Sequence, residues 1–204
     1  MIEPSRLRNL SERVRSSAAE DMGDVQPADS TPDAELVVRL RSGDLDALGV
    51  LYARYCADVR RLAMRLDHRR SEAAADDICQ AVFLTFLDTL PRYREQHRLR
   101  AWLLGITSRH CRSHRRRWWS RFRLLERWGP AGVAYAQAPV DARMEARQAI
   151  QAALASLPDA QREVLVLHHL EGLDIPEVAC ALEISENAVS TRLYRARRAM
   201  EALR

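Results

Sequence analysis

The sequence contains no lysine, and its 32 lysine or arginine residues are therefore all arginine. Arginine binds phosphate in a bidentate manner and stacks on bases and aromatic rings. A genome rich in G and C also favours arginine over lysine, so the absence alone indicates no function. The placement of the arginines is more informative. Residues 92–127 contain twelve arginines and two acids, whereas residues 1–38 contain four arginines and eight acids. A cluster of this kind attracts a polyanion.

The sequence also lacks an apolar run of the roughly eighteen residues that a membrane-spanning helix needs. Its first residues do not show the basic and apolar segments of a signal peptide. We therefore expect a soluble, cytoplasmic protein without membrane insertion. The four cysteines form no CxxC pair, so we expect reduced thiols without a metal or redox function. They are Cys56, Cys79, Cys111 and Cys180, and all but Cys111 fall at apolar helical positions.

No alternating strand pattern, internal repeat or glycine-rich phosphate loop is present, which leaves a nucleotide-binding enzyme almost without support. The apolar residues instead recur at helical spacing. The helices predicted in the first half run from Thr31-Pro32 to Gly43, from Asp44 to Leu66, from near Ser71 to Pro91, and from Trp102 into the arginine cluster. Further helices are predicted from Ala146 to Leu157 and from Pro158 to Gly172.

The stretch from Asp174 to Arg198 has the spacing of a helix-turn-helix, with two short helices joined by a three-residue turn. Asp174 can cap the first helix, and Glu177 can reach back to the amide of the cap. Ser185 can cap the second helix, whose apolar side packs inward while its polar side is free to contact DNA. The alternative interpretation is an ordinary helical hairpin with a solvated charged face.

These patterns predict an all-α fold of two small helical domains joined by a flexible linker. We assign residues 1–30 to an acidic, loosely ordered leader, which can contain a short helix between Leu7 and Val14. Residues 31–118 form the first domain and residues 146–204 the second, which contains the helix-turn-helix. Residues 119–145 form the linker, because aromatic residues, glycine and proline interrupt the helical period there.

Several motifs occur in an order that is typical of one protein family. Asp76-Asp77-Ile-Cys-Gln-Ala-Val-Phe83 and Leu99-Arg-Ala-Trp-Leu-Leu-Gly-Ile106 are followed by motifs that begin at Leu157, Asp174 and Val189. This constellation resembles the bacterial sigma factors of the extracytoplasmic-function class, over about residues 33–203. The resemblance implies a non-enzymatic subunit that binds core RNA polymerase, recognises and melts promoter DNA, and starts transcription.

The first motif is similar to the segment with which the family binds the largest polymerase subunit. On the predicted helix its polar positions lie apart from the apolar stripe. The residues implied in polymerase binding are Asp76, Asp77, Gln80, Leu84 and Asp88. A solvated face with one exposed leucine is the alternative. Ala81 stands where the family usually has an acid, which implies a weaker electrostatic contact.

The second motif is similar to the promoter-melting segment, and the polar loop 93–98 precedes it. The residues implied in minus-ten recognition and melting are Tyr93, Arg94, Gln96, His97, Arg98, Arg100, Trp102, Arg109, Arg112, Arg115 and Arg116. We expect the arginines from Arg98 onward to hold the DNA backbone and the loop to supply specificity, since aromatic and guanidinium groups stack on unpaired bases. For Trp102 the alternative is a place in the core.

The last motifs are similar to the domain that reads the minus-thirty-five element. The residues implied are Asn187, Ser190, Thr191, Arg192, Tyr194, Arg195 and Arg198. Two positions depart from the family pattern. Ser190 stands where a basic residue is usual, and Glu183 stands at a turn where glycine is common. A left-handed backbone there costs a non-glycine residue about 1 kcal/mol, so we expect a turn that differs in detail.

Competing functions have less support. Among His110, Cys111 and His114, only the pairs Cys111/His114 and His110/His114 share helical faces, and no fourth ligand is nearby, so we predict no metal and no cofactor. An enzyme would need convergent catalytic groups, which the sequence does not group together. A conventional helix-turn-helix regulator would carry a sensing or dimerisation domain in its first half. The expected partners are core RNA polymerase, promoter DNA and an anti-sigma factor, and we expect a monomer when the protein is free.

Overall fold

The computed structural model describes residues 31–66, 71–94, 98–126, 150 and 152–202, and every regular element in these ranges is helical. The first domain contains α1 (Asp33–Arg41), α2 (Asp46–Leu66), α3 (Glu72–Thr89), a short 3-10 helix (Leu90–Arg92) and α4 (Leu99–Glu126). The second domain contains α5 (Asp159–Leu165), a π-helical turn (Val166–Leu170), α6 (Ile175–Leu182) and α7 (Glu186–Glu201). Residues 152–156 are also helical. The all-α prediction is confirmed.

Local signals set most of these helix ends. The helix α1 follows Pro32 and stops before Gly43, whose φ of 95° few other residues adopt. The Ser71 side chain accepts a hydrogen bond from the Ala74 amide at 3.3 Å and caps α3. Pro91 lies in the 3-10 turn that closes this helix. These boundaries agree with the sequence prediction to within about two residues.

The core of the first domain lies between α2, α3 and α4, with α1 laid across α2. The predicted apolar stripe of α3 is buried, with Val82 and Phe86 fully inaccessible. It meets the buried side of α4, where Leu103, Leu104 and Ile106 are almost completely covered. This packing presents the polar side of α3 and the basic side of α4 on the outside of the bundle.

In the second domain, α5, α6 and α7 bury apolar residues that belong to the same hydrophobic core as those of the first domain. Arg162 is buried within it, 4 % exposed, and its guanidinium donates to three carbonyl oxygens at the end of the preceding helical segment. The acceptors and distances are Leu154 (2.8 Å), Ala155 (3.2 Å) and Leu157 (2.9 Å). Arg162 therefore satisfies carbonyl groups that a helix end leaves without intrahelical partners.

The two domains are packed against each other through α4 and α6. Gly105 of α4 lies directly on the backbone of Ala181, and a Cβ atom added to it would stand 2.4 Å from the Ala181 carbonyl oxygen. The two helices therefore touch backbone to backbone at this point.

The helix α4 continues to Glu126, beyond the predicted end of the first domain at residue 118. The first residues assigned to the linker are therefore helical. The leader at residues 1–30 and the linker from residue 127 onward lie outside the described residues.

Candidate nucleic-acid and polymerase interfaces

The helix-turn-helix has the predicted local geometry. The Asp174 carboxylate accepts from the Glu177 amide at 2.7 Å, and the Glu177 carboxylate accepts from the Asp174 amide at 2.9 Å, which completes a capping box. The Ser185 hydroxyl accepts from the Ala188 amide at 3.2 Å and caps α7. Residues 183–185 form the three-residue turn between the two helices.

Glu183 adopts the left-handed conformation, with φ of 57° and ψ of 46°. A residue with a side chain therefore adopts the left-handed backbone that favours glycine, and the expectation that the turn differs in detail from that of relatives stays a prediction. The carboxylate of Glu183 pairs with Arg109 of α4 at 2.9 Å. This pair offsets part of the local strain, although Glu183 is exposed and such pairs contribute little.

The predicted minus-thirty-five residues lie together on the outer face of α7. Val189, Leu193 and Ala196 are buried against the rest of the second domain. On the opposite side, six of the seven predicted residues are exposed: Asn187, Ser190, Thr191, Tyr194, Arg195 and Arg198. Arg192 is half-buried at the edge. Spacings of three and four residues bring the six onto one face, which is the arrangement needed to enter a major groove.

The predicted backbone-binding arginines have acidic partners in the second domain. Five of them each lie within 4 Å of one carboxylate. The pairs are Arg98 with Glu177, Arg100 with Glu171, Arg109 with Glu183, Arg112 with Glu163, and Arg115 with Asp159. Arg94 and Arg116 are exposed. Gln96 and His97 lie outside the described residues.

The pair at Glu171 belongs to a buried ionic cluster. The Glu171 side chain is 0 % exposed and accepts from Arg61, Arg65 and Arg100. Arg100 also donates to the Glu171 carbonyl oxygen at 2.8 Å and to Asp58 at 2.5 Å. Burial acts against ionisation of Asp58, but hydrogen bonds from Arg100 and Arg61 lower its pKa overall. Removing one member of such a cluster leaves a buried charge uncompensated, which costs about 3–5 kcal/mol.

Glu163 is a second buried acid at the contact between the domains. Its Oε1 lies 3.5 Å from Arg112, and its Oε2 has no hydrogen-bond partner among the described residues. Burial raises the pKa of Glu163, while Arg112 and Arg115 act in the opposite direction. The ionised form of this side chain is therefore destabilised by its surroundings.

The structure corrects the placement of Tyr93, which the sequence assigned to an exposed loop. Tyr93 is 5 % exposed, and its ring packs edge-on between Phe86 and Trp102 at centroid distances of 6.5 and 5.9 Å. The polar residues around it hid this role, because its burial depends on aromatic rings from two different helices, α3 and α4. Trp102 is half-buried against the core, as its alternative interpretation held.

The predicted polymerase-binding residues lie along one side of α3. Asp77, Leu84 and Asp88 are exposed, Gln80 is half-buried, and Leu84 is 38 % exposed despite its apolar side chain. Asp76 pairs with Arg60 at 3.0 Å. A groove of ≈ 480 Å³ runs between this side of α3 and α4, and Asp77 and Ala81 line it.

Two of the residues that were considered for a metal site, His110 and Cys111, have other surroundings in the structure. The His110 ring nitrogen lies 2.8 Å from the Thr85 hydroxyl, and Cys111 is buried. No group of three or more possible metal ligands occurs in the part of the chain that the structure describes. Among the same residues, no helix is long and apolar enough to cross a membrane.

Sequence reasoning missed the acidic side of the second domain. Asp159, Glu163, Glu171, Glu177 and Glu183 all face α4. Glu177 and Glu183 were interpreted only as cap and turn residues. The i, i+4 spacing of Asp159 and Glu163 could have indicated a shared face, but nothing local indicates what that face meets.

Family models match both domains. The model described as Sigma-70 region 2 matches residues 51–121, and the model described as Sigma-70, region 4 matches residues 147–200. The first match includes α3 and most of α4, which carry the predicted polymerase and minus-ten residues. The second includes the whole helix-turn-helix.

Whole-chain comparisons agree. The ECF RNA polymerase sigma factor BldN of Streptomyces coelicolor is 32% identical over 182 residues, with 86% of this chain and 67% of BldN covered. SigM of Mycobacterium tuberculosis, also an ECF RNA polymerase sigma factor, is 32% identical over 165 residues, with 81% of each chain covered. The solved structure of CnrH in complex with the cytosolic domain of CnrY has a TM-score of 0.62 at 28% identity and covers 84% of this chain and 96% of that chain. The chain therefore belongs to the extracytoplasmic-function class of the sigma-70 family of RNA polymerase sigma factors.

Proposed function

We propose that this sigma factor uses three separate surfaces for its three contacts. Family membership establishes the activity, which is to bind core RNA polymerase and to direct promoter recognition, DNA melting and initiation. A conventional helix-turn-helix regulator is not favoured, because family models match both halves of the chain. The residues that make each contact are the subject of the proposal.

The outer face of α7 reads the minus-thirty-five element. The observation that carries this assignment is the set of six exposed polar residues on one side of a helix whose other side is buried in the domain. The major groove of B-DNA admits one helix, and arginine and asparagine can hydrogen-bond to base edges there. Tyr194, 62 % exposed, stands on the same face and can contact a base or a flanking phosphate.

The basic side of α4 holds the DNA backbone near the minus-ten element. Arg109, Arg112 and Arg115 follow one another at intervals of three residues, which brings them to one side of the helix. Guanidinium groups in such a row neutralise successive phosphates and release counterions. The burial of Tyr93 moves base recognition away from that ring and towards the neighbouring loop positions.

The exposed side of α3 binds core polymerase. The observation that supports this assignment is an exposed leucine that lies among acidic residues beside a groove. We further propose that an anti-sigma factor restrains this chain, that it acts in the cytoplasm as a non-enzymatic subunit, and that it is a monomer when free. The structure of CnrH with the cytosolic domain of CnrY supports a protein partner of this kind.

Substitution of Arg195 tests base reading by α7. In reconstituted holoenzyme, Arg195→Ala should change which upstream sequences are used, because a good base contact discriminates by about 1–3 kcal/mol. Arg115→Ala and Arg116→Ala should weaken all promoters similarly and lower the salt slope by about one unit per contact. Initiation from a library of randomised minus-thirty-five elements, measured across a salt series, distinguishes the two outcomes.

Arg197→Ala is the matched control. Arg197 lies on the same helix, at the edge of the proposed reading face, and contacts His169 at 3.2 Å. Its loss should leave the sequence preference unchanged. If Arg195→Ala lowers initiation uniformly without a change in preference, Arg195 is a phosphate contact and base reading belongs to other residues of α7.

A further inference from the structure

The pairing between the two domains uses the same arginines that the proposed function assigns to DNA. Arg98, Arg100, Arg109, Arg112 and Arg115 each lie beside one carboxylate of the second domain. We define the acidic face as Asp159, Glu163, Glu171, Glu177 and Glu183. Its five carboxylates pair with arginines that lie between residues 98 and 115, immediately before and along α4.

The contact between the two domains is centred on a buried carboxylate. Glu171 is 0 % exposed at its side chain and is enclosed by three guanidinium groups, from Arg61, Arg65 and Arg100. Arg65 and Arg100 also donate to the backbone carbonyls of Leu170 and Glu171. The outer pairs at Arg98 and Glu183 are more exposed and hold less tightly. The centre of the acidic face is therefore fixed by buried charge.

Shape complementarity accompanies the charge. Gly105 allows α4 to approach the Ala181 backbone, where a Cβ atom would stand only 2.4 Å from the carbonyl oxygen. Any larger side chain at residue 105 must push α6 away. The close approach therefore depends on one glycine that takes no part in the ion pairs.

The packed arrangement covers only one of the three proposed surfaces. The reading face of α7 and the polymerase side of α3 stay exposed. The basic side of α4, in contrast, already has five carboxylates within ion-pair distance. In this packed arrangement, which we call the closed form, the polymerase surface is therefore accessible while the minus-ten surface is occupied.

The packed arrangement also cannot span a promoter. The minus-ten and minus-thirty-five elements are about 25 base pairs apart, which is about 85 Å along B-DNA. Among the described helices α4 is the longest, with 28 residues, and is therefore only about 42 Å long. Two domains packed on this helix cannot place their DNA surfaces so far apart, so the domains must separate before both elements are bound.

We propose that the acidic face acts as an internal competitor of promoter DNA. In the free chain its carboxylates take the places of phosphates on α4, and the domains separate when polymerase and DNA are engaged. This inference rests on the proposed role of the arginines in DNA binding. It adds that the second domain itself keeps these arginines from DNA, and that separation of the domains exposes them.

Two variants of the full-length chain test the competitor. Gly105→Ala inserts a Cβ against Ala181 without changing charge, and Glu171→Gln removes the central carboxylate. Binding is measured without polymerase to a fluorescent fork-junction DNA, and domain separation by small-angle X-ray scattering. If the closed form holds the open fraction near one tenth, opening raises the apparent DNA affinity by about tenfold. Both variants, and the double variant, should show a larger radius of gyration and this gain.

Matched controls are available in the same chain. Gly49 is a helical glycine of α2 whose added Cβ would meet nothing within 4 Å, so Gly49→Ala should change neither quantity. Glu72→Gln removes an exposed carboxylate from α3 and has the same net charge as Glu171→Gln. It corrects for a general electrostatic gain in DNA affinity.

Failure of this inference can be told apart from failure of the proposed function. The inference is overturned if the wild-type chain is already extended, or if the double variant binds the fork DNA no better than Glu72→Gln. The proposed function is tested separately by Arg112→Ala in holoenzyme, which should weaken promoter binding. Suppose that Arg112→Ala weakens promoter binding by holoenzyme, but the double variant of the free chain gains no affinity for the fork DNA. The assignment of the arginines to DNA then stands, and the acidic face is not a competitor.

Discussion

Arg162 and Glu163 are neighbours in sequence, but the fold places their charges in different surroundings. Arg162 is buried and donates to three carbonyl oxygens within its own domain. Burial lowers its pKa in spite of the acids nearby. Glu163 points towards α4 and has one carboxylate oxygen without a hydrogen-bond partner among the described residues. The first residue stabilises the domain, whereas the second places an incompletely compensated acid at the contact between domains.

The buried position of Glu163 leads to a prediction about pH. Burial raises its pKa, so the folded protein binds a proton more tightly than the unfolded chain does. The free energy of unfolding should then rise as the pH falls from the folded pKa towards the unfolded value. Glu163→Gln removes this dependence. At pH 7.5 the variant should be at least as stable as the wild type, and its advantage should shrink as the pH is lowered.

Chemical denaturation of both proteins between pH 7.5 and pH 4.5 checks this expectation. Glu35→Gln, which changes an exposed acid of α1, is the control and should follow the wild type. A variant that is clearly less stable at pH 7.5 would show that the contact with Arg112 outweighs the cost of burying the acid.

Single residues also show where sequence reasoning stops. The exposed face of α7 could be predicted, because the buried positions Val189, Leu193 and Ala196 fix the orientation of the helix. The burial of Tyr93 could not, because it depends on the rings of Phe86 and Trp102, which come from two different helices. Local polarity was a poor guide to a contact made by tertiary packing.

At the level of helices, the ends with chemical caps were predictable. The capping box at Asp174 and the serine caps at Ser71 and Ser185 each involve residues only three positions apart. The end of α4 was not predictable in the same way. Aromatic residues at 118 and 119 suggested a break, but the helix continues to Glu126 without a glycine or proline to stop it.

The turn of the helix-turn-helix yields a prediction at this scale. Glu183 occupies a left-handed conformation, which costs a residue with a side chain about 1 kcal/mol relative to glycine. Glu183→Gly removes this strain and loses an exposed ion pair with Arg109, which is worth about 0–1 kcal/mol. The free energy of unfolding should therefore change by less than about 1 kcal/mol, towards higher stability if the strain dominates.

Thermal and urea denaturation of Glu183→Gly measure this balance, and Arg109→Ala removes the ion pair alone. The double variant shows whether the two effects add. A loss well above 1 kcal/mol in Glu183→Gly would mean that the pair with Arg109 contributes more than an exposed ion pair usually does.

For the whole molecule, the order of elements was predictable and their mutual arrangement was not. Helical periodicity shows which side of α4 carries the arginines and which acidic residues of the second domain share a side of their helix. It does not show that the two sides meet, because Gly105 and Ala181 come together only when both domains have folded. From the sequence we expected these arginines to bind DNA phosphates. The structure shows that five of them pair with carboxylates of the second domain.

The polymerase surface on α3 stays exposed while the two domains are packed together, so its contact with core RNA polymerase can be tested in the full-length chain. Asp77→Ala with Gln80→Ala should weaken binding to core RNA polymerase at least about tenfold, which corresponds to about 1.4 kcal/mol. The two side chains lie off the buried stripe of α3, so the free energy of unfolding should change by only about 0.5 kcal/mol. Binding of the full-length chain to core enzyme without DNA, measured by fluorescence anisotropy beside circular dichroism melts, separates the two effects. Glu35→Ala, on the exposed side of α1, serves as the control and should bind as the wild type does. Wild-type affinity in the double variant would remove α3 from the polymerase contact, and a large loss of stability would assign these residues to the fold instead.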